Sequence, residues 1–306
     1  MKKSILALYA LVLLVVLSAR AQTPIRVMIL DGETNKYHRW DVATPILKKI
    51  LEEPKKFAVD VVSAPPEGGD FSTFMPKFSD YQVVLLNYDA PTERWPEALK
   101  QSFEQYIAKG GGLVTIHGAN NSFPEWVAFN KMIGMGGWRN RNENSGPYWY
   151  YKDGKLVSDK TPGNAGSHGS RIPFQMKVVN PNHPITKGLP ATWMHQNDEL
   201  YAQLRGPGEN MQVLVTAYSD KNNKGTGNDE PQLMALDYGK GRIFHYAPGH
   251  DAVAMASVDY VVLLQRGTEW AATGKVTQKI PDNFPTATSV SYRPDIAAMN
   301  PVAPGK

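Results

Sequence analysis

The 306-residue chain contains no cysteine. Without cysteine there is no disulfide framework, no thiol nucleophile and no thiolate metal site. It also lacks a G-x-S-x-G elbow, an H-E-x-x-H pair, a P-loop and a G-x-G-x-x-G following the first apolar run. The serine-hydrolase, zincin and nucleotide-binding readings lose their main support with them. The "GMGG" that begins at Gly134 follows a helical pattern rather than a strand, the wrong context for a phosphate cradle. A surplus of charge is nearly missing as well. The chain has 33 Lys and Arg against 29 Asp and Glu, for a net charge of +4.

One long apolar run occurs, from Ile5 to Leu17, preceded by Lys2 and Lys3 and followed by "SARA". It is short for a membrane span and ends in the small-x-small pattern that signal peptidase cuts, so residues 1–21 read as a secretory leader cleaved before Gln22. No cysteine follows it, which excludes a lipoprotein anchor. Cleavage takes Lys2, Lys3 and Arg20 away with no acid and leaves a net charge of about +1. The expected product is therefore periplasmic or secreted, with no membrane anchor and no nucleic-acid partner. Its oligomeric state is not legible in the sequence.

The full chain is 42% hydrophobic, as in an ordinary globular protein. "PIRVMILDG" (Pro24 to Gly32) is an apolar run with the look of a strand buried on both faces. From Trp40 to Leu51, Val42, Ile46, Leu47, Ile50 and Leu51 recur with helical spacing, and "FAVDVVSA" and "YQVVLLNYD" read as further strands. "RWPEALKQSFEQYIAKGGG" predicts a second helix with a glycine stop, and "LVTIH" a strand after it. Alternating strands and helices with short joins imply an α/β fold, a three-layer sandwich about a mostly parallel central sheet. Residues 22–276 form the expected domain. Within it, 134–171 loses periodicity, is dense in Gly, Asn, Trp and Tyr, and is expected to be a long irregular insertion with a functional role. A last helix is expected over roughly Val253 to Ala272, and residues 277–306, rich in proline, form an extended or disordered strap.

Open parallel sheets bind ligands outside the carboxyl ends of their strands. Those ends offer Asp31, Asn87, Asp89, His117 with Asn120 behind it, and His250 with Asp251 to orient it. His117 stands at a strand-to-helix turn in "GGGLVTIHGANN", where a hydrolase would present its nucleophile; here it reads as a proton carrier, a metal ligand or a pin for the turn. "WMHQNDELY" packs His195, Asp198 and Glu199 between aromatics, either as an acid/base pair, as metal ligands or as a docking connection. If this segment is extended, His195, Asn197 and Glu199 share a face. His38 lies just past the first strand, near where a ligand would sit, or else covers the first helix. Trp138 and Trp149 offer flat apolar surfaces for sugar rings, or else belong to a small satellite core. His245, within a strand, reads as a core histidine, and His183, in a proline-rich turn, as structural. A divalent metal held by His117, His195 and His250 is one form the site can take.

"GGGLVTIHGA", "HPITKGLP", "DELY" and "YGKGRIFHYAPGHD", in this order, resemble the ThuA-like family, named for trehalose utilisation, within the class I glutamine amidotransferase-like superfamily. The resemblance spans Ile25 to Thr273. It implies a flavodoxin-like sandwich, with His117 standing where the amidotransferases place their nucleophile. It also implies a role in sugar catabolism, on pathways in which a disaccharide is first oxidised to a 3-keto sugar. The expectation is thus an enzyme acting on a glycoside or keto-sugar by histidine/carboxylate or metal-assisted chemistry. The alternatives are a carbohydrate-binding accessory module and a metal-dependent amide or ester hydrolase.

Overall fold

The first strand, β1 (Ile25–Asp31), is flanked in parallel by β2 (Phe57–Ser63) and β3 (Val83–Leu86) in the computed structural model, which describes residues 23–299. The leader expected over 1–21 lies outside the described residues. Alternate β1 side chains feed two separate cores: Val27 and Ile29 one, Met28 and Leu30 the other. On the first face lies α1 (Trp40–Glu52), which buries Ile46, Leu47, Ile50 and Leu51. On the second lies α2 (Glu97–Ala108), which buries Leu99, Phe103 and Ile107. Each such side chain contributes about 1.5–3 kcal/mol by leaving water. The next strand, β4 (Gly112–Ile116), is buried throughout and passes into a 3₁₀ turn, His117–Asn121, and α3 (Val127–Ile133).

The insertion 134–171 carries a hairpin, β5 (Tyr148–Lys152) and β6 (Lys155–Asp159), inside otherwise irregular chain. Asp153 and Gly154 both have positive φ, 51° and 74°, the backbone that an Asp-Gly two-residue turn favours. Three further strands, β7 (Ile172–Val178), β8 (Thr192–Asp198) and β9 (Met211–Tyr218), lead to β10 (Asp229–Tyr238) and β11 (Gly241–Tyr246). The sheet order is β2-β1-β3-β4-β11-β10-β9-β7-β8, with β5 joined to β10. The β2-to-β11 half is parallel, as expected. From β10 onward all pairings are antiparallel, and for β10 with β11 the tight "YGKG" turn can only return the chain beside itself.

After β11 come the short α4 (Ala252–Met255) and the long α5 (Val258–Thr273), the latter packed on the α1 face. The tail runs extended to α6 (Pro294–Ala297) and is docked. Thr286 O accepts from Met194 N along the edge strand β8, Ser291 O accepts from Val258 N, and Ile296 is fully buried. It is a strap that covers a sheet edge. Among the described residues, no helix is long and apolar enough to cross a membrane.

Candidate active site

The carboxyl ends of β1, β4, β8 and β11 place His38, His117, Glu199 and His250 together, with one ligating atom of each within 4.8 Å of the others. Buried on all sides, β4 can deliver His117 only at its end, and does so with a backbone φ of 38°. Such a left-handed conformation is costly outside glycine and clusters at functional sites. His117 Nδ1 donates to the Ala247 carbonyl at 2.8 Å, which locks the ring. Its Nε2 faces His250 Nδ1 at 3.3 Å and Glu199 Oε2 at 3.6 Å. His250 Nδ1 lies 3.2 Å from the same Glu199 oxygen. His38 stands edge-on to both rings, at centroid distances of 4.8 and 5.2 Å. Its approach requires Gly118, where a Cβ would fall 2.6 Å from His38 Nδ1. The Asn35 amide contacts that Nδ1 at 3.1 Å and donates to Asp89 Oδ2 at 2.9 Å, while Tyr201 Oη meets His38 Nε2 at 3.2 Å.

The environment sorts the charges. Burial, reinforced by repulsion from His117 and His250, pushes His38 down to about 2 and keeps it neutral. Burial also opposes the Glu199 charge, but the neighbouring His117 and His250 rings outweigh it and hold its carboxyl well below the usual range. For His250 burial is outweighed by Glu199, so its ring is raised. His168, Trp138 and Tyr201 stand over Glu199 as the wall of a cavity of about 580 Å³, which Asp89 and Arg139 also line. Arg139 donates from Nε to Asp89 Oδ1 at 2.7 Å. The Trp138 ring packs 4.5 Å from that of Tyr201.

His195 does not join this group, and the expected shared face for His195, Asn197 and Glu199 is not formed. A register shift in the β7–β8 pairing turns His195 and Asp198 to the same side, with Asn197 exposed. His195 is fully buried, its Nδ1 2.8 Å from Asp259 Oδ2 and its Nε2 3.1 Å from Asp198 Oδ2. Burial alone would discharge it, but the two carboxylates outweigh burial and raise it to about 10. With both nitrogens taken, it is neither an acid/base group for a ligand nor a metal donor. Asp198 accepts from Gly249 N at 2.7 Å and His250 N at 3.1 Å, so it positions the loop that carries His250. The line from Asp259 through His195 and Asp198 to His250 is a scaffold behind the site.

Five other expected ligand contacts are structural. Asp31 accepts from Ser63 and Thr44 hydroxyls at 2.6 Å each, and Asn87 donates to that Thr44 hydroxyl, so both fasten α1 to the sheet. Asn120 faces inward and donates to His245, itself a core histidine bound to the Ile133 carbonyl. Asp251 caps α4 and pairs with Arg171 at 2.5 Å; it does not orient the His250 ring. Trp149 spends its indole N–H on the Gly206 carbonyl at 2.9 Å and packs in the second core. Asp89 and Trp138 do line the cavity. His183 is structural, its Nδ1 accepting from Ile185 N and its ring packed on Trp270.

Asn35, Arg139, His168 and Tyr201 were not singled out by sequence reasoning as site residues. "DELY" contains Tyr201, and three successive left-handed residues, Trp138, Arg139 and Asn140, mark the insertion as built for a purpose.

The ThuA family model, described as trehalose utilisation, matches residues 26–271. Among solved structures, a ThuA-like protein from Parabacteroides merdae is 47% identical with a TM-score of 0.86, over 90% of this chain and 99% of that one. Another, from Bacteroides uniformis, is 22% identical with a TM-score of 0.55, over 84% and 95%, a likeness of fold alone. Among the curated proteins none matches. With the family match running from the first strand to the last turns of α5, this chain belongs to the ThuA family, the family of trehalose utilisation.

Proposed function

We propose that this protein is an exported enzyme of carbohydrate breakdown that cleaves a glycoside through its 3-keto form. The observation that carries this reading is the convergence of His38, His117, Glu199 and His250 beside a cavity of about 580 Å³. That volume lies in the ordinary range for small-molecule sites. A ketone at C3 acidifies the proton on C2. A base removes that proton, the enolate collapses with loss of the glycosidic oxygen from C1, and an acid returns a proton to the departing alcohol. The site supplies what this sequence needs: imidazoles to take and give protons, a carboxylate to balance the imidazolium, and N–H or O–H donors for the enolate. Trp138 offers an apolar ring to a sugar face, and Asp89, Arg139 and Asn35 offer polar partners to hydroxyl groups.

Turnover of a 3-keto-glycoside by the purified protein is expected to disappear in His117→Ala while sugar binding, followed by calorimetry, survives. Unchanged turnover in that variant overturns the reading. Export rests on the Lys2-Lys3, apolar run and "SARA" pattern. It predicts an exported product whose N-terminal residue is Gln22.

A further inference from the structure

Without a proton or a cation between them, the polar atoms that meet in the site face one another as acceptors. The partner of His117 Nδ1 is a carbonyl oxygen, which can only accept, so the His117 proton is on Nδ1 and Nε2 presents a lone pair. That nitrogen, His250 Nδ1 and Glu199 Oε2 form a triangle with edges of 3.3, 3.2 and 3.6 Å. Something positive has to lie among them. A tetrahedral ion bound to imidazole nitrogen and carboxylate oxygen at about 2.0–2.1 Å holds its ligand atoms about 3.3–3.4 Å apart. Octahedral coordination at the same bond length needs about 2.9 Å. The observed triangle matches the tetrahedral spacing.

We infer that His117 Nε2, His250 Nδ1 and Glu199 Oε2 bind a divalent ion of the zinc type. Three protein ligands leave a fourth position for water or a substrate oxygen, the pattern of ions that act on ligands rather than brace a fold. The surroundings fit this use. His117 gives its other N–H to a backbone carbonyl, the outer contact that orients metal-binding histidines, and Asp198 fixes the main chain at His250. The donors are nitrogen and oxygen in a cysteine-free chain, which suits a borderline ion and not a soft one. His38 stands beside the ion, held by Asn35 and Tyr201 as a neighbouring proton carrier. The ion's role, polarising a sugar carbonyl and holding the enolate, rests on the catalytic reading above; the binding itself rests on the triangle.

The test uses the mature protein stripped with a chelator and titrated with Zn²⁺ by calorimetry, and with Co²⁺ by visible absorption. One ion per chain is expected, with the strong visible band of four-coordinate Co²⁺. Glu199→Gln, which keeps size and shape, should weaken binding by more than about 100-fold, beyond what loss of an outer contact costs. Circular dichroism confirms that the variant is folded. If a proton on His250 is all that holds the triangle together, stripped wild-type protein takes up no stoichiometric ion, and the inference fails whatever the variants do. Equal affinity in wild type and Glu199→Gln also overturns it. Tight ion binding without turnover of any keto-glycoside would remove the catalytic reading and leave the ion. Full turnover by ion-free protein would remove the ion's part in the chemistry and leave the catalytic reading.

Discussion

Two histidine clusters lie back to back in this fold, one sealed and one open. In the sealed one, His195 sits between Asp198 and Asp259 with no solvent exposure, and the two carboxylates also accept from Gly249 N, His250 N, Trp193 Nε1 and the Ser257 hydroxyl. Every donor and acceptor there has a protein partner. In the open one, three imidazoles converge on a single carboxylate, and His38 and that carboxylate, Glu199, line a cavity. Both are built from imidazole and carboxylate. Satisfied polar groups hold a structure, whereas groups left incomplete by the protein are available to a ligand.

The sharpest way to break the contrast is Asp259→Ala. It leaves His195 with one carboxylate and the Trp193 indole without a partner, and removing one member of a buried ion pair costs about 3–5 kcal/mol. Urea denaturation should show that loss, and a change near zero would mean the sealed cluster is not a scaffold. His117→Ala should do the reverse. Its stability should stay within about 1 kcal/mol of wild type while turnover falls by about 10²–10³, the usual worth of a group that stabilises charge in the transition state. Gly118→Ala tests the open cluster without touching its chemistry. The added methyl would meet His38 Nδ1 and displace the ring, and about tenfold to 100-fold of activity should go with it.

The sealed cluster also carries a pH signature. His195 is raised to about 10 when folded, against 6.5 for the ordinary ring. Its contribution to stability is therefore fully present below about pH 6.5 and is lost as pH rises toward 10, because the folded state holds the extra proton across that window. Melting temperature should fall from pH 6.5 to 10 in wild type and fall less steeply in His195→Gln; parallel curves would count against the assignment. The smallest effect is expected from Trp149→Phe, which gives up one hydrogen bond to the Gly206 carbonyl, worth about 1 kcal/mol, with keto-glycoside turnover unchanged. A change in turnover there would mean that the hairpin and the cavity are coupled.

Much of the fold was legible. The apolar runs that became β1, β3 and β4 and the 3.6-residue spacing of α1 and α2 appear where the periodicity placed them, because each element buries a stripe that sequence spacing displays. The β5–β6 hairpin was passed over although Asp153-Gly154 announces it, since the surrounding Gly, Asn and aromatic residues hide the alternation. At the site, the strand-end rule found His117, Asp89 and His250 but also pointed to Asp31 and Asn87, which turn toward α1. A strand end says that a side chain leaves the sheet, not toward which neighbour. His195 was misplaced because a bulge, set by pairing with β7, changes the face on which residues three apart emerge.

The sequence by itself determined the alternation of elements, the family, and the histidine at the end of β4, since hydrophobic period, motif order and turn chemistry are local properties. Only the tertiary structure decided which polar residues meet. His38, His117, Glu199 and His250 are brought within 4.8 Å by strand order, and the same packing closes His195 between two carboxylates. The free energy that separates a ligand-facing histidine from a buried, charge-paired one comes from groups distant in the chain, and no local pattern encodes their approach.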